Sequence, residues 1–113
     1  MVFKYNKLIR DKIGEIFSKR GKKFGVHNAV TDSEYWFKLK QKLQEEINEF
    51  GVKEDIESIA DVYEVLDAMA DFKNFNPQEI AVMRENKNIE FGKFNNRVIL
   101  EESEEEFGKT SDQ

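Results

Sequence analysis

The chain has no cysteine and only one histidine among its 113 residues. Without cysteine there is neither a disulfide framework nor a thiolate zinc site. A single histidine, His27, cannot supply the two Glu-x-x-His motifs of a carboxylate-bridged di-iron bundle. No apolar run approaches the roughly 20 residues of a membrane span. No secretory leader pattern opens the chain. The expectation is a protein of the reducing cytoplasm with no membrane partner.

Charge is plentiful but unevenly placed. The net charge is -5, with 39% hydrophobic residues and ten Phe, enough for one core. Residues 1–42 hold eleven Lys and Arg against four Asp and Glu, a balance of +7. Residues 43–113 hold seven against nineteen, a balance of -12. A basic half beside an acidic half suits a site that holds a metal and a polyphosphate together. It equally suits opposite-sign helices that neutralise each other on packing. The acidic total argues against a partner of duplex nucleic acid, which usually meets a basic face.

Periodicity predicts an all-α fold, an antiparallel helical bundle. Ile9, Ile13, Ile16 and Phe17 mark a helix over 6–20, stopped by Gly21. Residues 22–30 read as a loop. Thr31 and Glu34 form a capping box before a helix over 34–50. Trp36, Leu39, Leu43, Ile47 and Phe50 lie on one stripe of it, and Gly51 is its expected stop. A second long helix is expected over 53–72, apolar around most of its circumference, which implies a further neighbour such as a partner subunit. Asn76-Pro77 starts another helix that fades near Asn88. Phe94 and Val98-Ile99-Leu100 suggest a short extended piece packed on the bundle. One helical domain is expected over 1–100, followed by an acidic, disordered tail over 101–113.

The acids concentrate where the core should be. Ten of the thirty residues 43–72 are Asp or Glu, within the same apolar pattern. On a helical wheel Glu46 lies roughly 50° and Glu49 roughly 110° from the apolar centre, at its rim. Glu45 lies roughly 155° away and is expected to face water. Glu57, Glu64, Asp67 and Asp71 share a polar arc on the next helix. Asp61 lies off that arc, so its carboxylate needs a cation or donors. Glu46, Glu49 and Asp61 are therefore candidate ligands of one cation. An all-oxygen set suits Mg²⁺, with Mn²⁺ as substitute. Spacing of this kind also occurs on plain solvated helix faces.

These residues carry a family resemblance. YNKLIRDKI, EYWFKLKQKLQEEINEF, ESIADVYEVLDA and FGKFNNRVIL, in that order, resemble the MazG-like all-α nucleotide pyrophosphohydrolase superfamily. The match is to its small phosphoribosyl-ATP pyrophosphohydrolase-like branch, over about residues 5–100. The resemblance implies a Mg²⁺-binding helical bundle, commonly a homodimer or homotetramer. It would cleave a nucleoside triphosphate or related nucleotide to the monophosphate and pyrophosphate. Glu46 and Glu49 match the E-x-x-E motif, and Asp61 the closing Asp of E-x-x-D, as metal-binding and catalytic residues. The Glu of that second motif is Ser58 here. Either Glu57 substitutes, or Glu64 or a water fills the gap, or metal binding is weakened. Gly14, Phe91 and Lys93 also depart from the branch, which often has Pro, Arg and Gly there.

The resemblance further implies phosphate contacts from Lys7, Arg10 and Lys12, with Lys42, Lys87, Lys93 and Arg97 as further candidates. Tyr35 and Trp36 are candidate walls of a base pocket, or else core residues. Two other readings stand beside the hydrolase. One is a dimerisation or regulatory module of the same fold without the chemistry. The other is phosphoribosyl-ATP hydrolysis itself.

Overall fold

A computed structural model describes residues 1–108. Four helices occur among them and no strand: α1 (Ile13–Lys19), α2 (Asp32–Lys53), α3 (Ile56–Phe72) and α4 (Pro77–Phe91). The all-α expectation holds. The chain divides into two compact units, Met1–Asn74 and a second beginning at Phe75.

The first unit is built on α2 and α3. Thr31 caps α2, its hydroxyl accepting from the Glu34 amide at 3.1 Å. The Glu34 carboxylate accepts from the Val30 amide and meets His27, both at 3.0 Å, which fastens the preceding loop to the helix. Gly51 does not end α2. The helix runs through it to Lys53, and Glu54 takes the left-handed turn at φ 53°. A helical glycine costs only about 1 kcal/mol relative to alanine. The stop is set instead by the next cap. Asp55 accepts from the Ser58 amide at 2.9 Å and starts α3 at once, three residues later than expected.

The two helices run antiparallel. Trp36 near the start of α2 stacks on Phe72 at the end of α3, with centroids 5.5 Å apart. The facing stripe of α3 is Ser58, Val62, Val65, Met69 and Phe72, spaced three and four residues apart. Leu39 of α2 and Val62 and Val65 of α3 are the buried apolar residues between the two helices. Each such side chain contributes about 1.5–3 kcal/mol by leaving water. Outside that stripe α3 exposes Ile56, Tyr63 and, on its flank, Leu66.

The helix expected over 6–20 shrinks to α1, seven residues long. Lys12, at its N-cap, offers no side-chain cap bond. The chain before it is tied down by long-range contacts, and Asn6 turns at φ 51°. Gly21 follows the helix at φ 67°, as the stop expected there. Gly14 makes room for an aromatic pair: a Cβ there would sit 3.3 Å from the Phe24 ring, which packs edge-on against Phe17.

In the second unit, the Asn76 side chain accepts from the Gln78 amide at 2.8 Å, and Pro77 opens α4. The helix does not fade at Asn88 but continues to Phe91, where Gly92 at φ 84° ends it. The expected extended piece forms no strand, and Phe94, Val98 and Ile99 stand exposed. A lone strand would leave its backbone groups unpaired, and no second strand exists among the described residues. Of the acidic tail, residues 101–108 are irregular and exposed, and 109–113 lie outside the described residues. Among the described residues, no helix is long and apolar enough to cross a membrane.

Candidate metal and phosphate site

The turn between α2 and α3 opens beside a polar cleft of about 260 Å³. Glu46 and Glu49 enter it from the last turns of α2, and Asp61 from the second turn of α3. The three acids named from the sequence thus line one cleft. Glu57 lines it too, whereas Glu64 does not.

Each acid already has a cation. Glu46 is buried and meets the Lys42 ammonium at 3.2 Å. Glu49 pairs with Lys53 at 2.7 Å, and Asp61 with Arg10 at 2.8 Å. The hydrogen bond to Glu49 raises the Lys53 pKa. As these side chains stand, no three His, Asp or Glu among the described residues are arranged to close on a single ion. No buried side-chain polar atom among them lacks a partner either.

Glu45 corrects the wheel. Expected to face water, it lines the cleft and accepts from Lys7 at 2.9 Å and Lys42 at 3.1 Å. Burial alone would push its carboxyl up, but the Lys7 and Lys42 hydrogen bonds outweigh that and hold it below the usual value. The same bond raises the Lys7 ammonium. A long Glu at a helix flank follows its cations, so a wheel angle does not fix its head group.

Two wall residues escaped the sequence reading: Asp55 and Lys53. The signal for Asp55 was its spacing to Ser58, a capping box written with Asp and Ser instead of Ser and Glu. The box is reciprocal: the Ser58 hydroxyl accepts from the Asp55 amide at 3.4 Å and donates to the Asp55 carboxylate at 2.5 Å. The Ser58 hydroxyl and then the Ser58 amide, both donating to the Asp55 carboxylate, lower its pKa. Ser58 is itself only 2% exposed. It lines the cleft at the position of the expected Glu, but its hydroxyl is committed to starting α3.

Of the phosphate candidates, Lys7 lines the cleft and Arg10 reaches it through Asp61. Lys12 does not line it; it lies at the N-cap of α1. Tyr35 and Trp36 lie at the other end of the hairpin, packed on Phe72 at 5.4 and 5.5 Å. Ten helical residues separate Trp36 from Glu46, roughly 15 Å along the axis. Lys73 covers the Trp36 ring at 4.3 Å, and this aromatic cluster sits at the far end of the hairpin from the cleft.

The donor chemistry fits Mg²⁺. Every candidate ligand is an oxygen. Six carboxylates (Glu45, Glu46, Glu49, Asp55, Glu57, Asp61) share the cleft with Lys7 and Lys53, and Lys42 and Arg10 pair with its walls. The surplus is two negative charges, which one divalent cation would neutralise. Compared with known protein families, curated proteins and solved structures, the chain matches none.

Proposed function

We propose that the protein is a Mg²⁺-dependent nucleotide pyrophosphohydrolase, converting a nucleoside triphosphate or related nucleotide to the monophosphate and pyrophosphate. The observation that carries this reading is the meeting of Glu46, Glu49 and Asp61 in one cleft with Lys7 beside them. The MazG-like sequence resemblance supplies the reaction class. Glu46, Glu49 and Asp61 would hold the cation, with Asp55 and Glu57 on the same wall. Once bound, the ion offsets the charge that develops on the phosphate oxygens.

The chain's own groups complete the chemistry. Glu49 is 45% exposed at its side chain and borders both cleft and solvent. It, or Glu46 behind it, takes the proton of the attacking water. The water oxygen bonds to phosphorus as the bond to the departing pyrophosphate breaks. Lys7 and Arg10 bind the phosphate oxygens. The exposed side of α3 is assigned to a second copy of the chain, in a homodimer or larger assembly of the cytoplasm.

The test is pyrophosphate release with Mg²⁺ or Mn²⁺ over canonical and modified nucleoside triphosphates and phosphoribosyl-ATP. Monophosphate and pyrophosphate are expected, with activity lost in Glu49→Gln and Asp61→Asn. Release of diphosphate and phosphate overturns the reading. One observation favours a second reading, a regulatory module of the same fold: Ser58 is spent on the α3 cap where the family pattern has a ligand. Absence of pyrophosphate from both the wild type and Ser58→Glu, over the whole panel, selects that module.

A further inference from the structure

The N-terminal chain reaches the cleft from far away in sequence. Lys38 donates to the carbonyl of Asn6 at 2.5 Å. Lys7 donates to Glu45 at 2.9 Å across 38 residues, and Arg10 to Asp61 at 2.8 Å across 51. These three contacts clip a non-helical segment over the α2–α3 hairpin, and Asn6 turns the chain there with its positive φ.

The clip is not uniform. Lys42 is only 16% exposed at its side chain and is shared by Glu45 and Glu46, so it is part of the packing. Arg10 is 58% exposed, and its guanidinium can leave without opening the core. Its partner Asp61 is one of the three acids assigned to the cation. A guanidinium and a divalent cation on one carboxylate repel each other. A guanidinium is also well shaped for a phosphate, which it binds through two parallel hydrogen bonds.

We propose that residues 6–10 are an internal strap in which Arg10 holds the cation's place at Asp61 and passes to the substrate's phosphates when the cation binds. This rests on the pyrophosphohydrolase reading, which assigns Asp61 to the cation, and adds its regulation. Metal and polyphosphate then assist each other. The cation expels Arg10 from Asp61, and the phosphates give the expelled charge a partner. By linkage, phosphates that draw Arg10 away strengthen metal binding by the same factor. With neither ligand present, the strap covers a cluster of acids that would otherwise repel one another.

The test uses Mn²⁺ alone as the probe, read by electron paramagnetic resonance on the full chain. Arg10→Gln removes the competing cation, so Mn²⁺ affinity rises by roughly two- to fivefold, the equivalent of an exposed ion pair. Lys22→Gln, the same charge change elsewhere in the N-terminal half, leaves affinity unchanged. In the wild type, Mn²⁺ speeds hydrogen exchange at residues 6–10. Suppose Mn²⁺ binds and Asp61→Asn abolishes that binding, yet Arg10→Gln leaves affinity unchanged or lower. The strap is then overturned and the pyrophosphohydrolase reading stands. Wild-type protein that binds no Mn²⁺, or binds it equally well after Asp61→Asn, overturns both.

Discussion

Ser58 shows how one side chain can be claimed by two demands. The proposed pyrophosphohydrolase reading asks for a carboxylate at this position, and the start of α3 asks for a cap partner. The hydroxyl meets the second demand, bonded to Asp55 and almost fully buried. A Glu at this position of a capping box can also reach back to the cap amide. The Ser58→Glu variant therefore keeps the helix start but adds a carboxylate beside Asp55. Without metal, the added repulsion lowers stability by about 1–2 kcal/mol. Under the proposed function millimolar Mg²⁺ reverses this, because a ligand that binds only the folded state stabilises it. Thermal melts with and without Mg²⁺ check this: the Mg²⁺-induced rise in Tm is larger in Ser58→Glu than in the wild type.

At the scale of the element, the strap and the hairpin are joined by charges that titrate. Glu45 has a lowered pKa in the folded protein, against the ordinary carboxylate value when unfolded. Its contribution is present above the unfolded pKa and is lost as pH falls through the lowered folded value. Asp55 behaves in the same direction at the α3 cap. Lys7 has the opposite sign: its raised pKa gives stability present below the unfolded value and lost as pH rises through the folded one. Acid therefore weakens the Lys7–Glu45 tie and the α3 cap, in the region below about pH 4.3 where carboxylates titrate. Melting temperature measured from pH 6 to pH 3 falls in the wild type. Glu45→Gln flattens part of that fall, and an equally steep curve in the variant contradicts the assignment.

For the whole molecule, the imbalance between core and surface is the main fact. Leu39, Val62 and Val65 are the buried apolar residues, while Ile56, Tyr63 and Leu66 stand exposed outside the packed stripe of α3. Ile56 is 85% exposed and Tyr63 65%, beside the edge of the polar arc at Asp67. An apolar helix face of this kind is stabilised by burial against a partner. Sedimentation equilibrium at micromolar concentration is expected to give a mass of at least twice the 13.3 kDa chain. Leu66→Glu, which places a charge in that face, shifts the equilibrium toward monomer. A wild type that sediments at 13.3 kDa contradicts the assembly.

What was legible from the chain was what neighbours in sequence decide. Thr31 and Asn76-Pro77 marked helix starts because a cap needs only residues two or three positions away. The stripe through Leu39 marked the packed face of α2 because helical period is local, although Ile47 of that stripe stands exposed; that Asp61 of α3 lines the same cleft as Glu46 and Glu49 of α2 was decided by the packing of the two helices. Other features depended on the fold. The stop of α2 moved from Gly51 to Glu54 because Asp55 claimed the next helix start. Glu45 left its water-facing angle for Lys7 and Lys42, and the Lys7–Arg10 segment gave up helix for contacts 38 and 51 residues away. Tyr35 and Trp36 went to Phe72 at the far end of the hairpin. Caps and periodicity are set within a turn or two of chain. The partner of a long charged or aromatic side chain is whatever tertiary packing brings within a few ångströms, and no local rule supplies that.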